Sequence, residues 1–251
     1  MGRLDGKVAL VSGSAMGQGE AHVRAFVAEG ARVVVSDVED DAGKAVAESL
    51  GDAAIFEHLD VADDDDWARV VDAVVDHWGK LDVLVNNAGF MVRGTAENVT
   101  LDDWHRAIAV MQTGPMLGMR AVVPAMKAAG GGSIINTSSA AGLRGITDGM
   151  PYSAAKFALR GMTKSAALDL AVYGIRVNSV HPGLVDTPFF DRFMPQRPEG
   201  FGRRSSLAGR PAVAEDIAPL VVYLASDESA FCSGAEFVVD SGSTAGMWTA
   251  Q

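Results

Sequence analysis

Short runs of apolar, often β-branched residues alternate with longer helical patterns along the whole chain. The runs show little alternation between apolar and polar side chains, which is typical of parallel strands covered by helices on both faces. The repetition predicts a single-domain, Rossmann-type α/β fold with a doubly wound parallel sheet, because no linker interrupts it. Strands are predicted over 8–11, 32–36, 54–56, 82–85, 133–137, 176–180 and 237–239, and helices over about 18–29, 40–50, 63–78, 101–128, 152–171 and 214–224.

One segment, residues 183–210, departs from this rhythm. It contains three prolines and four phenylalanines. A long irregular segment in a compact domain is usually functional or mobile. We expect a lid over a substrate site, since the phenylalanines need cover; a surface insertion is the alternative.

Composition and charge narrow the class of protein. The 251 residues carry a formal charge of −11, which argues against nucleic acid as a partner because phosphate binding needs a basic face. The apolar stretches are shorter than the about 20 residues that a membrane span needs, and the polar start lacks a signal-peptide pattern. A cytoplasmic protein is expected. Cys232, the only cysteine, cannot form an intramolecular disulfide and is expected to pack rather than react.

Four consecutive aspartates at 63–66 could suggest a divalent metal site. A helix start is the preferred interpretation, because carboxylates favour the positive end of a helix and a helical apolar pattern follows. No metal is therefore expected. His105 and His181 are expected to be structural, since the first lies on an amphipathic helix and the second precedes a turn.

A glycine-rich turn follows the first predicted strand. Gly13, Gly17 and Gly19 have the spacing G-x-x-x-G-x-G, at the position where a parallel α/β sheet holds a pyrophosphate on a helix N-terminus. Gly13 would allow the tight turn, Gly17 the approach of backbone amides, and Gly19 close packing of helix on sheet. Alone this signal is weak, because turn glycines are common in α/β chains.

Asp37 ends the second predicted strand, where an acidic residue can bind the adenosine ribose hydroxyls of a dinucleotide. A carboxylate there repels a 2′-phosphate, and neither Ser36 nor Val38 supplies a cation to hold one. NAD is therefore favoured over NADP. Asp37 could also cap the helix that begins near Asp40, and the two roles are compatible.

Tyr152 and Lys156 are four residues apart on a predicted helix, so both side chains lie on one face. A tyrosine with its usual pKa of about 10 is a poor base at neutral pH, but a nearby ammonium stabilises the phenolate. Ser139 follows a strand at the carboxyl edge of the sheet, where ligands bind. Its hydroxyl could polarise a carbonyl or hold an alcohol.

Six stretches together resemble the short-chain dehydrogenase/reductase family in order and spacing, over essentially the whole chain. Within that family the chain resembles the branch of bacterial hydroxysteroid dehydrogenases, a likeness that indicates a branch better than a substrate. The six stretches are 12–19, 60–61, 86–89, 138–139, 152–156 and 182–187.

The resemblance implies NAD-dependent interconversion of a secondary alcohol and its ketone by hydride transfer, in a homotetramer. It implies that Ser139 orients the substrate, that Tyr152 is the acid/base, and that Lys156 lowers the pKa of Tyr152 and bonds the nicotinamide ribose. The residues expected to bind NAD are Gly13, Met16, Gly17, Gly19, Asp37, Asp60, Val61, Asn87, Ala88, Gly89, Tyr152, Lys156, Pro182, Gly183, Val185 and Thr187.

Met111 is the sharpest departure from the family pattern. The family has an active-site Asn at this position, which fixes a local helix distortion and a water linked to the Lys. Met cannot form those hydrogen bonds. Pro115 should itself distort the helix, and backbone carbonyls or Gln112 could partly substitute. We expect turnover that is slowed or retuned to another substrate.

The substrate cleft of the family lies between the loop after Ser139, the residues before Tyr152 and the lid. Here its predicted lining suits a bulky apolar alcohol or ketone, steroid-like or terpenoid, although each side chain could simply pack the lid down. Two rival readings remain: a dinucleotide-binding sensor without turnover, and a sugar or acyl-thioester ketoreductase. The predicted lining residues are Leu143, Met150, Phe189, Phe190 and Phe193.

Overall fold

Seven parallel strands form one sheet in the order β3-β2-β1-β4-β5-β6-β7 in the computed structural model, which describes residues 2–189, 196 and 206–246. This confirms the predicted Rossmann-type α/β fold. Each predicted strand is present, with ends that shift by one or two residues. The strands are β1 (Val8–Ser12), β2 (Arg32–Asp37), β3 (Ala54–His58), β4 (Val83–Asn86), β5 (Gly132–Thr137), β6 (Ile175–Pro182) and β7 (Glu236–Val239).

Helices cover both faces of the sheet, which explains why the strands are apolar on both sides. One buried cluster joins the sheet to α1, α2 and α7, and a second joins it to α3, α5 and α6. Within the described ranges, no helix has the length and apolar character to cross a membrane. The helices are α1 (Gly17–Ala28), α2 (Asp40–Ser49), α3 (Asp64–Trp78), α4 (Leu101–Ile108), α5 (Gly114–Ala128), α6 (Met150–Leu170) and α7 (Ala214–Ala225).

The strand order reverses between β1 and β4, and this reversal positions the site. β1 pairs with β2 on one side and with β4 on the other, so the chain leaves the two central strands toward opposite faces. Open α/β sheets bind ligands in the crevice that forms at the carboxyl ends of such strands. The glycine-rich turn after β1 lies at this crevice.

The acidic run at 63–66 starts a helix, as predicted. The Asp63 carboxylate accepts hydrogen bonds from the amides of Asp65 and Asp66 and caps α3. In the described part of the chain, no group of three or more His, Cys, Asp and Glu side chains is arranged to hold a metal ion.

The predicted helix over 101–128 is interrupted by a π-helical turn, Ala109–Thr113, between α4 and α5. Pro115 has no N–H, so the Met111 carbonyl loses its usual i+4 donor. The Gly114 N–H reaches back to the Ala109 carbonyl instead. The expected distortion is therefore present although Met111, not Asn, stands at its centre.

His22 is a fully buried polar side chain on α1. Neither ring nitrogen has a hydrogen-bond partner among the described residues. Burial lowers the pKa of His22 to about 4. The imidazole is therefore neutral in the folded protein well below the pH at which an exposed histidine takes up a proton.

We predict that His22 makes the fold acid-sensitive. The unfolded chain protonates this histidine near pH 6.5 and the folded chain only near pH 4, so stability falls as the pH drops through that window. At pH 5 the loss is about 2 kcal/mol. In urea unfolding at pH 7 and pH 5, His22→Leu should lose less stability on acidification than the wild type. The exposed His105→Gln is the control, and an equal pH dependence in wild type and His22→Leu would contradict the prediction.

Candidate active site

A cavity of about 1120 Å³ opens at the carboxyl edge of the sheet. It extends from the glycine-rich turn after β1, past the ends of β4 and β5, to the segment after β6. Most of the residues predicted from the sequence meet in its walls. These are Gly13, Met16, Gly17, Asp37, Asp60, Val61, Asn87, Ala88, Gly89, Ser139, Tyr152, Lys156, Pro182, Gly183, Val185, Thr187 and Phe189.

The turn after β1 is shaped to bring backbone amides to a ligand. Gly13 and Gly17 have φ values of 65° and 60°, which favour glycine. A Cβ on Gly13 would lie 2.6 Å from the Ala88 Cα. Met16 caps α1 without a side-chain hydrogen bond, which leaves the first amides of the helix available as donors. These backbone donors fit a dinucleotide pyrophosphate. The buried Oε1 atom of Gln18, a hydrogen-bond acceptor, has no partner among the described residues.

Gly19 is a packing residue and does not line the cavity. A Cβ there would lie 2.1 Å from the Gly13 carbonyl oxygen and 2.8 Å from the Asn87 side-chain nitrogen. The tight-packing role expected from the motif is supported. Whether Gly19 also contacts the cofactor stays a prediction.

Ser12 braces the cavity between β1 and β4. Its hydroxyl accepts hydrogen bonds from the amides of Asn87 and Ala88, at 3.1 and 3.2 Å. The Asn87 side chain in turn donates to the Gly13 carbonyl at 2.9 Å.

The adenosine end of the cavity is acidic. Asp37, Val38, Glu39 and Asp60 line it. The Asp37 carboxylate accepts hydrogen bonds from the amides of Ala15 and Glu39, both at 3.1 Å. Glu39 rather than Asp37 is the N-cap residue of α2, so the alternative capping role of Asp37 is not observed. Asp37 instead ties the glycine-rich turn to the end of β2.

Ser139, Tyr152 and Lys156 converge at the other end of the cavity. The Ser139 side chain lies close enough to Tyr152 to lower the pKa of its phenol, and the Ser139 hydroxyl accepts a hydrogen bond from the Ala141 amide at 3.1 Å. The Lys156 ammonium donates to the Thr137 carbonyl at 2.7 Å, and its Nζ lies 5.7 Å from the Tyr152 ring centre. The i, i+4 pair on α6 therefore faces the end of β5, as the helical spacing predicted.

Burial is the dominant electrostatic influence at these groups. It raises the pKa of Tyr152, while the Ser139 side chain acts in the opposite direction. Burial also lowers the pKa of Lys156 to about 8. Any lowering of the Tyr152 pKa by Lys156 therefore has to work against desolvation of both side chains.

Residues behind the site hold Ser139 and Lys156 in place. The Ser138 hydroxyl donates to the Lys156 carbonyl at 2.8 Å, which ties α6 to the end of β5. The buried His181 ring lies 2.9 Å from the Ser179 hydroxyl and 3.2 Å from the Ser139 carbonyl. Burial lowers the pKa of His181. The contacts agree with the expected structural role and extend it to the backbone of Ser139.

The predicted substrate residues are only partly brought together. Phe189 lines the cavity and its ring centre lies 6.2 Å from that of Tyr152. Leu143 and Met150 do not line the cavity, because the wall on that side is formed by neighbouring residues such as Ile146. Phe190 and Phe193 lie outside the described residues, as does most of the predicted lid, 190–195 and 197–205. Part of the apolar wall of the cavity was not predicted from the sequence. It is formed by Phe90, Met91 and Val110.

Comparison with known proteins agrees with this architecture. A family model described as "Enoyl-(Acyl carrier protein) reductase" matches residues 13–244. A "3-alpha-(or 20-beta)-hydroxysteroid dehydrogenase" of Mycobacterium tuberculosis is 54% identical over 98% of this chain and 92% of its own length. A "Trans-4-hydroxycyclohexanecarboxylate dehydrogenase" of Sinomonas cyclohexanicum is 48% identical over 97% and 95%. An "NADP-dependent (R)-specific alcohol dehydrogenase" of Lentilactobacillus kefiri is 42% identical over 97% and 98%.

Fold, site and relatives define an oxidoreductase that uses a nicotinamide dinucleotide. The chain belongs to the short-chain dehydrogenase/reductase family, as its sequence pattern indicated, and it acts on CH–OH groups. Its likeness to a hydroxysteroid dehydrogenase covers nearly the whole chain.

Met111 is fully buried beside this site, in an apolar cluster with Tyr152. It lies close to Gly89 and Lys156, since a Cβ on Gly89 would contact both the Met111 sulfur and the Lys156 Nζ, at 3.4 and 3.6 Å. The π-helical turn is present without the family's Asn, so only the hydrogen-bonding function of that Asn is missing. We therefore expect Met111 to affect the transfer of a proton away from Lys156.

We predict that Met111→Asn raises the rate of alcohol oxidation and changes its pH profile, because an amide beside Lys156 can hold a water in the proton path. Met111→Leu, which conserves volume and adds no hydrogen-bonding group, is the matched control and should keep the wild-type profile. Steady-state kcat measured from pH 6 to 10 checks this. An unchanged rate and pH profile in Met111→Asn would contradict it.

Proposed function

We propose that this protein is an NAD(H)-dependent dehydrogenase that interconverts a bulky, apolar, cyclic secondary alcohol and its ketone. The observation that carries the proposal is the meeting of Ser139, Tyr152 and Lys156 in one cavity with the glycine-rich turn. When bound, a nicotinamide dinucleotide supplies the hydride acceptor or donor. The cyclic alcohols in the names of two relatives support the substrate class.

Each of the three side chains has a distinct task in this proposal. The Ser139 hydroxyl holds the substrate oxygen beside the Tyr152 phenol, whose pKa it lowers. Tyr152 takes the alcohol proton during oxidation and returns it during ketone reduction. Lys156 keeps a positive charge near the phenolate and donates to the nicotinamide ribose. The phenolate needs this cation because burial alone raises the pKa of Tyr152.

The adenosine end of the cavity favours NAD over NADP. Carboxylates of Asp37, Glu39 and Asp60 line it, and like charge disfavours a 2′-phosphate. The NADP-dependent relative from L. kefiri indicates that the family accommodates both cofactors, so the choice depends on these local side chains. Asp60 and Val61 would contact adenine, while Val185 and Thr187 would hold the carboxamide.

The substrate end is apolar and adjoins Tyr152. Phe90, Met91 and Val110 pack with Tyr152 in one cluster, and Phe189 packs against it from the segment after β6. Burial of a cyclic hydrocarbon against these side chains would supply most of the affinity. The complete set of Ser139, Tyr152 and Lys156 argues against a sensor that binds a dinucleotide without turnover.

A homotetramer remains part of the proposal. Phe157, Leu168 and Val172 are exposed apolar side chains on and just after α6. The first two lie on one face of the helix, since they are three turns apart. Apolar side chains clustered at the surface are typical of subunit interfaces, and sedimentation equilibrium would give the number of subunits.

The direct test is a panel of secondary alcohols and ketones assayed with NAD(H) and NADP(H). We expect turnover of bulky cyclic alcohols with a preference for NAD, and a loss of about 10³-fold or more in kcat for Tyr152→Phe, which has no acid/base group. Tyr173→Phe, far from the cavity walls, is the matched control and should keep wild-type activity. Tight NADH binding with no turnover of any panel member would support the sensor and contradict the proposal. Activity retained in Tyr152→Phe would contradict the role of this side chain.

A further inference from the structure

Three arginine side chains line the same cavity as Ser139 and Tyr152. They belong to Arg93, Arg106 and Arg144. The chain as a whole carries a formal charge of −11, and the adenosine end of the cavity is acidic, so the positive charge of these three side chains differs from that of their surroundings. The separation of charge along one cavity suggests that the two ends bind chemically different groups.

Arg93 is held beside the start of α6 by backbone pairing. Gly94 and Gly149 form a parallel bridge, in which the Gly94 amide donates to the Asp148 carbonyl and the Met150 amide donates to the Gly94 carbonyl. The Arg93 guanidinium lies 3.7 Å from the Asp148 carboxylate. Asp148 therefore offsets much of the positive charge of Arg93.

Arg106 and Arg144 have no such compensation from the residues that the structure describes. No carboxylate in the described ranges forms an ion pair with either side chain, and both are exposed. Arg106 is nevertheless positioned, because its guanidinium stacks on the Phe90 ring at 4.5 Å. Arg144 ends the short turn that follows Ser139, with its amide bonded to the Ala140 carbonyl at 3.1 Å. Among the described residues, two exposed cations without an ion-pair partner therefore line the mouth of an apolar site.

The floor beneath these cations is hydrophobic. Phe90, Met91 and Val110 pack with Tyr152, so the wall changes from apolar near the phenol to cationic at the mouth. A neutral hydrocarbon would use only the first part of this surface. A ligand with an apolar ring and an anionic end would use both parts, since a carboxylate accepts charge-assisted hydrogen bonds from guanidinium groups.

We propose that the substrate is a cyclic hydroxy or keto acid, with its ring over Tyr152 and its carboxylate held by Arg106 and Arg144. This inference rests on the proposed function and narrows its substrate class. The carboxylate directs the ring, because binding at the mouth fixes which carbon of the ring faces Ser139 and Tyr152. Arg106 and Arg144 are thereby specificity-determining residues and take no part in proton transfer.

The test compares two ligands that differ in charge, 4-oxocyclohexanecarboxylate and its methyl ester. Dissociation constants are measured by calorimetry in the presence of saturating NAD⁺, where the ketone cannot be reduced. The wild type should bind the acid at least about fivefold more tightly than the ester, the factor that corresponds to one partly exposed ion pair. The difference should shrink in 0.5 M NaCl.

Arg106→Gln and Arg144→Gln should each weaken binding of the acid about fivefold more than binding of the ester. Arg24→Gln is the matched control, since Arg24 pairs with Glu20 on α1, away from the cavity. Equal affinity for acid and ester, or equal losses for both ligands in the two variants, would overturn the inference. Reduction of both ketones by NADH is measured separately. If both ketones are reduced and the acid is not preferred over the ester, only this inference is rejected. If neither ketone is reduced, the proposed function is rejected.

Discussion

The site depends on a buried ammonium. Lys156 is almost fully buried, and burial lowers its pKa to about 8, so the fold carries a cation in a place that disfavours charge. A single hydrogen bond to the Thr137 carbonyl, 2.7 Å long, holds this cation at the end of β5. The surrounding packing has to maintain that position, because a buried charge without fixed partners would relax toward water. The Ser138 hydroxyl donates to the Lys156 carbonyl, and α6 packs on the turn after Ser139, so both contacts help to hold that position.

The rest of the architecture brings other groups to the same edge of the sheet. Parallel strands end together, so the turn after β1, the end of β4, Ser139 after β5 and the segment after β6 become neighbours without any nearness in sequence. Charge divides the cavity into regions: carboxylates at the adenosine end, one buried cation at the centre, and guanidinium groups at the mouth. The central cation can act on Tyr152 because both are shielded from water.

Much of this could be predicted from the sequence, and the limits have physical causes. Strand and helix positions followed from periodicity, and the i, i+4 spacing placed Tyr152 and Lys156 on one face. The burial of Tyr152 could not be predicted from the sequence, because it depends on neighbours that are distant along the chain. The raised pKa that follows from this burial was therefore not predicted either. The π-helical turn was predicted only as a distortion, because Pro115 indicates a missing donor but not where the hydrogen bonds rearrange. Arg106 and Arg144 carry no motif and became meaningful only when they were found in one cavity with Ser139.

The central claim is that Lys156 is kept buried for its effect on Tyr152, at a cost to stability. Its pKa is about 8 when folded against 10.5 when exposed, so the wild type gains stability as pH rises from 8 to 10.5. The most direct measurement is urea unfolding of Lys156→Met at pH 7 and pH 10.5, paired with turnover. We predict a variant that is more stable by about 3 kcal/mol at pH 7, that loses most of this advantage at pH 10.5, and that is inactive. A variant that is less stable than wild type at pH 7, or one that retains turnover, would contradict the account.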